Sequence, residues 1–257
     1  MFNAGDAAYA YYEPEAGYVR PETAVAAQLG LAARMDACVR LGEPVVEWRA
    51  SSNGARVRTA DGVYDSDWLV LCPGPWINGL FAEGRKTFAV FRQLVMWFPI
   101  TVDPSGLRGM PIFVWDFGGE LTGFVHLHGF YGLPPLAGSG GGLKVGTEQF
   151  ASTTEPDGAQ HPATAREAAV LRSDVIGERL PWLGSAPLRS ASCLYTSTRG
   201  SRFVIDRHPA HDNVMIVSAC SGHGFKHSPA IGELVARLIT SQPLDIDLEP
   251  FRYSRGE

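Results

Sequence analysis

A chain of 257 residues that is 45% hydrophobic and 19% charged has the balance of a globular protein with a sizeable core. Its formal net charge of −5 argues against a nucleic-acid footprint. No apolar run reaches the roughly 18–20 residues that a membrane span needs, and the start, Met1-Phe2-Asn3-Ala4-Gly5-Asp6, lacks the basic and apolar regions of a signal peptide.

Residues 1–16 are aromatic and acidic without a clear period, like the end of a segment begun earlier. Pro21-Glu22-Thr23 opens an Ala/Leu-rich helix expected to run to about Arg40. Val45-Val46-Glu47-Trp48 and Ala55-Arg56-Val57-Arg58-Thr59 read as strands, and Asp61-Gly62 as a hairpin turn. Trp68-Leu69-Val70-Leu71-Cys72 is a continuous apolar run, expected to be a strand buried on both faces. It ends at Pro73-Gly74-Pro75-Trp76, a sharp turn where a parallel strand can meet a ligand. From Phe88 to about Phe150 the pattern becomes aromatic-rich strands split by turns, which predicts an antiparallel sheet. Residues 163–180 read as a helix. Val214-Met215-Ile216-Val217-Ser218 then reads as a strand, and Pro229 to about Thr240 as a helix. The chain therefore goes from α/β to all-β and back to α/β, crossing twice between two domains.

Four cysteines, Cys38, Cys72, Cys193 and Cys220, stand far apart with no C-x-x-C pair. Neither a disulfide framework nor structural zinc is expected, and a reducing, cytoplasmic setting is. His126 and His128 share one strand face, but no third ligand is suggested, so no metal site is expected. Gly138-Ser139-Gly140-Gly141-Gly142 before Lys144 is not a phosphate cradle, because neither Ser nor Thr follows the lysine and no strand-to-helix context surrounds it.

Taken by type, Cys193 is a small buried residue, Lys226 a surface lysine and Asp206 a strand-end cap. Their surroundings say more. Cys193-Leu194-Tyr195-Thr196, Phe203-Val204-Ile205-Asp206 and Ser221-Gly222-His223-Gly224-Phe225-Lys226 place a thiol, an acid-ended strand and a Gly-rich turn with a lysine at short intervals. A thiolate is a soft nucleophile, and glycines let backbone N–H groups approach a ligand at a helix start.

This block resembles the flavin-attachment segment of the monomeric sarcosine oxidase / N-methyl-L-tryptophan oxidase family, within the D-amino-acid-oxidase-like FAD-dependent oxidoreductases. The resemblance runs from about Gly17 to the C-terminus. It implies an FAD-binding domain of the glutathione-reductase type over 17–84 and 188–257. An antiparallel-sheet substrate domain is implied over 85–187, with 1–16 as the tail of an earlier substrate-domain segment. It implies that Cys193 bonds the flavin covalently and that Gly222, His223, Gly224, Phe225 and Lys226 lie against the cofactor. Lys226 also helps hold a substrate carboxylate. Val45 falls where the family contacts adenine, and Gly74 and Trp76 fall where a turn runs beside the flavin. Arg92-Gln93 also matches. Tyr131-Gly132-Leu133-Pro134 through Lys144-Val145-Gly146 resembles the segment whose tyrosine lines the active site and whose lysine activates O2. Glu148 departs from the family, which carries a histidine four positions after that lysine; a carboxylate there can pair with Lys144 and damp its charge, or meet a cationic group of the substrate.

The implied activity is oxidation of a secondary amine, such as an N-methyl amino acid, with O2 reoxidising FAD to give hydrogen peroxide. The strand–G-x-G-x-x-G–helix unit that opens the family has no counterpart here. The chain is thus expected to be a shortened product of an amine oxidase gene, truncated at its N-terminus. The competing expectation is an inactive remnant, or one subunit of a split flavoenzyme in which a partner chain supplies the missing segment. A sugar- or peptide-binding β module explains the aromatic strands but not the C-terminal block.

Overall fold

The computed structural model describes residues 2–4, 9–121, 127–135, 141–159 and 161–254. His126 and Gly138 to Gly140 lie outside them. The chain forms two compact units, each built from separated stretches: Met1–Tyr18 with Val90–Tyr195, and Val19–Ala89 with Thr196–Glu257.

The first unit is built on a five-stranded antiparallel sheet. Its strands are β5 (Ala89–Phe98), β6 (Phe113–Leu121), β7 (Leu127–Leu133), β8 (Leu143–Glu148) and β9 (Arg189–Ser197), in the spatial order β6-β7-β8-β5-β9. Alternation puts Leu94, Met96, Phe98, Leu143, Val145 and Phe130 on one face, where they form the core with Leu171, Val175, Ile176 and Leu180. Those four come from the chain after α3 (Ala165–Val170), which continues as a wider π-helical stretch, Leu171–Ile176. The helix expected over 163–180 is therefore shorter and irregular. Its start is fixed by a capping box: the Thr164 hydroxyl accepts from Glu167 N–H, and Glu167 accepts from Thr164 N–H. Each large side chain buried in this core contributes about 1.5–3 kcal/mol.

Arg92 and Gln93 are structural staples of this unit. Arg92 reaches Glu167 Oε1 at 2.6 Å and donates to the carbonyls of Ala159 and His161. Gln93 is fully buried; its amide donates to Gln149 O at 2.7 Å and its Oε1 accepts from Gln149 N–H at 2.9 Å. Replacing Arg92 with Ala leaves Glu167 half-buried without its cation, and an expected loss of about 2–4 kcal/mol would lower the urea midpoint. An unchanged midpoint would show that these bonds add nothing to stability.

The second unit holds two three-stranded sheets. One is antiparallel, β1 (Val45–Ser51), β2 (Gly54–Thr59) and β3 (Val63–Ser66). Asp61-Gly62 makes the β2–β3 turn, closed by Thr59 N–H to Gly62 O at 2.9 Å. The β1–β2 hairpin turns at Ser52-Asn53 and was not expected, although the dipeptide Asn53-Gly54 is itself a hairpin signal. The other sheet runs β10-β11-β4: β10 (Val204–His208) pairs antiparallel with β11 (His211–Ser218), and β11 pairs parallel with β4 (Leu69–Leu71). Leu71, Val214 and Ile216 face one cluster with Ile77 and Phe81. Val70, Met215 and Val217 face another, with Val235, Leu234 and Leu238 of α4 (Ser228–Ile239). β4 is thus packed on both faces, as its apolar pattern requires, while Cys72 just beyond it is exposed, so the run at 68–72 is covered only in part. Among the described residues β4 is an edge of its sheet.

Helix α1 (Pro21–Arg34) ends before the expected Arg40. Asp36 adopts φ +63°, and Ala37 N–H turns back to Ala32 O at 3.0 Å, a left-handed ending that the Ala/Leu pattern does not signal.

Candidate active site

In the second unit the site begins with strand direction. β4 and β11 run parallel, with Leu71 opposite Ile216, so both leave the sheet at the same carboxyl edge. At that edge β4 passes into the 3-10 turn Gly74–Trp76, and β11 into the turn 219–225. The crevice outside the carboxyl ends of parallel strands is where open α/β sheets bind ligands.

The turn after β11 is held tightly. Ser221 N–H donates to Thr196 O at 2.8 Å, and the N–H groups of His223 and Gly224 both donate to Cys220 O, at 3.0 and 2.9 Å. Ser221 and Gly222 take φ of +43° and +77°, two successive left-handed residues. At Gly224 an added Cβ would overlap the Ala219 carbonyl, so only glycine closes the turn. Gly224→Ala should lower the melting temperature, since such overpacking costs about 1–3 kcal/mol. An unshifted melt would show that the turn opens freely. The His223 Nδ1 lies 2.8 Å from Ser221 O, and its ring stacks on Phe203 with centroids 4.7 Å apart. This makes His223 a brace of the turn rather than a free base. Phe225 and Lys226 are exposed on the 3-10 turn that leads into α4, so the lysine's charge and the helix N-terminus share one place. Gly74 takes φ +56°, and Trp76 is 43% exposed.

This edge fits a flavin. It offers a side-chain-free turn, a cation, two exposed aromatic side chains and a helix start, and no Cβ stands at Gly74 or Gly222. The Thr196 hydroxyl, buried beside the turn, has no hydrogen-bond partner among the described residues. Val45 stands apart from the turns, 42% exposed at the start of β1.

In the first unit the candidate residues occupy the sheet face opposite the core. Directly paired residues share a face. The register puts Trp97, Lys144 and Leu133 in one row, and Val95, Gly146, Tyr131 and Val114 in the next. Glu148, Gly129 and Asp116 form the third. Gly146 has a structural reason to be glycine: the Tyr131 ring lies where its Cβ would be. Burial pushes the Tyr131 phenol up to about 12, helped by the negative charges of Cys193 and Glu148 and opposed by a hydrogen bond from Tyr195. Tyr131 is therefore a neutral O–H donor at any physiological pH. Cys193 is half-buried, and Tyr195 stands two residues further along β9, on the same face by strand period.

Lys144 is half-buried, with Nζ 5.8 Å from the Trp97 ring centroid, and Arg189 lies over the same ring at 3.5 Å. Lys144 and Glu148 share a face but are not paired: four strand positions separate them by about 13 Å. Burial pushes the Glu148 carboxyl up, Asp116 pushes it further, and His128 pulls it down.

The structure thus brings Tyr131 and Cys193 together, and separately joins Gly74 and Trp76 to the 222–226 turn along one sheet edge. Tyr195, Trp97, Arg189 and Asp116 were given no role by sequence reasoning. Tyr195 was within reach of it through its i+2 relation to Cys193; the others depend on cross-strand register.

Residues 2–238 match the family described as DAO, FAD dependent oxidoreductase. The monomeric sarcosine oxidase of Streptomyces avermitilis is 35% identical over 232 residues, 89% of this chain and 58% of that protein. The N-methyl-L-tryptophan oxidase of Escherichia coli is 29% identical over 249 residues, 95% of this chain and 62% of that protein. This chain therefore spans about three fifths of the length of these relatives. Among solved structures the open form of NikD, an unusual amino acid oxidase essential for nikkomycin biosynthesis, superposes with a TM-score of 0.72 at 20% identity, over 92% of this chain and 60% of that one. Glycine oxidase from Geobacillus kaustophilus gives 0.69 at 20% identity, over 90% and 57%. The fold is thus that of the FAD-dependent amino acid oxidases, mixed α/β with an antiparallel sheet, and the chain belongs to the DAO family of FAD dependent oxidoreductases.

Proposed function

We propose that this chain works in FAD-dependent oxidation of a secondary amine, of the sarcosine or N-methyl amino acid kind, with O2 as acceptor. The observation that carries the reading is the sheet face of the first unit opposite its core, where Tyr131, Tyr195 and Cys193 meet. Bound FAD would supply the chemistry of taking a hydride from the carbon beside the amine nitrogen and passing two electrons to O2, which leaves as hydrogen peroxide.

The second unit is the FAD-binding part in this reading. Gly74, Trp76, Gly222, His223, Gly224, Phe225 and Lys226 hold the cofactor, and Val45 contacts its adenine. Lys226 places positive charge where the reduced cofactor is anionic, and it helps hold a substrate carboxylate. The first unit is the substrate part. Cys193 bonds the flavin covalently, Tyr131 donates a hydrogen bond on the substrate side, and Lys144 provides the fixed cation for O2. No disulfide joins any of the four cysteines, as a cytoplasmic protein would keep them. No helix among the described residues is long and apolar enough to cross a membrane.

A second reading has its own support. β4 ends its sheet among the described residues, and the relatives are longer than this chain. A partner chain that adds a strand to this edge would complete the FAD site, making this one subunit of a split flavoenzyme; without a partner it would be an inactive remnant. Titrating the refolded chain with FAD and following flavin fluorescence separates the readings. The partner-dependent reading expects weak or no binding by the chain alone. Sub-micromolar affinity would overturn it, and would support the reading in which this chain is the oxidase by itself.

A further inference from the structure

The face that bears Tyr131 is electrically polarised along its strands. At one end Lys144 and Arg189 both lie over Trp97. At the other end is the row Glu148, Gly129, Asp116. Gly129 has no side chain, so nothing from β7 fills the space between the two carboxylates. Glu148 is half-buried and has no hydrogen bond or salt bridge among the described residues. Its charged neighbours are Asp116, which repels it, and His128, which attracts it. Asp116 already accepts from Gly118 N–H at 2.8 Å, so it offers Glu148 no relief.

A carboxylate held this way is costly unless a cation meets it. Lys144, the cation on its own strand, is about 13 Å away along β8, beyond the reach of a direct pair. Among the described residues only His128 attracts it, so a cationic ligand group would add the countercharge that the face supplies only in part.

We infer that Glu148 is the specificity-determining residue of this face, and that the favoured substrate carries a second, cationic group on its side chain besides the reacting secondary amine. The inference rests on the reading of this face as the substrate side. It narrows the substrate class from N-methyl amino acids in general to basic ones. A side chain of several bonds separates the two cationic centres, which suits a carboxylate one sheet row away from Tyr131. Neutral or acidic side chains would leave Glu148 without a partner, and acidic ones would add repulsion.

The test uses two amines with the same four-carbon side chain, Nα-methyl-L-lysine and Nα-methyl-L-norleucine, which differ only in the terminal ammonium. Each is titrated calorimetrically into the full chain in the presence of FAD, as native protein and as Glu148→Gln. The lysine derivative should bind about tenfold more tightly or better, as a charge-assisted contact provides. In Glu148→Gln this preference should vanish, with the norleucine derivative bound as before. Glu148→Lys should reverse the preference, favouring N-methyl-L-glutamate. Equal binding of both amines by the native protein, or a preference that survives in Glu148→Gln, overturns the inference and leaves the substrate-side reading intact. Binding of neither amine overturns the substrate-side reading and the inference together.

Discussion

Cys193→Ser should give a protein that turns colourless when precipitated in acid after incubation with FAD, whereas the native chain should keep its yellow colour and gain the mass of one flavin on the Cys193 peptide. The expected effect is all or none, because a hydroxyl cannot replace the thiolate. Serine is a poor nucleophile at neutral pH, while a thiol is partly ionised and intrinsically reactive. The substitution is nearly isosteric, and Cys193 is only half-buried, so the fold should hold. Cys220 is the internal control. Its sulfur accepts from Thr196 N–H at 3.3 Å beneath the Gly-rich turn, so Cys220→Ser should keep the adduct. Yellow colour retained by Cys193→Ser would move the attachment to another residue. A colourless native protein with FAD bound would mean that the cofactor is held without a covalent bond.

Much of the architecture was legible because hydrophobic patterning is local. Leu69–Leu71 of the apolar run, the aromatic strands between 88 and 150 where they are described, and the strand at 214–218 lie in the sheets. The misses have local causes too. Met35 and Asp36 end α1 through a left-handed turn at a residue that ordinarily continues a helix. The stretch after Val170 stays apolar at nearly helical spacing while its hydrogen bonding widens to the π form, a change that periodicity cannot register. What the sequence hides most is pairing between distant segments. Nothing in Leu69-Val70-Leu71 announces β11 as its parallel neighbour, yet that pairing aligns the Gly74 and Gly222 turns along one edge. The same holds for Glu148. Its spacing from Lys144 invites an ion pair in a linear reading. The register instead sets it beside Asp116 and leaves Lys144 with Trp97.

Lys144→Met should slow reoxidation of the reduced, FAD-loaded protein by O2 by about 10²–10³-fold, the scale expected when a preorganised charge is removed from a developing anion. Reduction by amine under anaerobic conditions should change little. Lys144 is held half-buried on a strand, in a row with Trp97 and Leu133, so its charge is less screened than that of a surface lysine. The first electron delivered to O2 creates a negative charge, and a fixed cation lowers the energy of that step without moving. Methionine keeps the length and apolar contacts of the stem, and Lys144→Arg should retain part of the rate because it retains the charge. Stopped-flow absorbance separates the two half-reactions. Equal reoxidation in the native and Met proteins would assign the oxygen step to another cation, with Arg189 on the same Trp97 ring the first to replace. Equal losses in both half-reactions would instead make Lys144 a substrate-binding residue. An effect confined to reoxidation would single out oxygen chemistry, because in the proposed oxidase only the second half-reaction creates negative charge on oxygen.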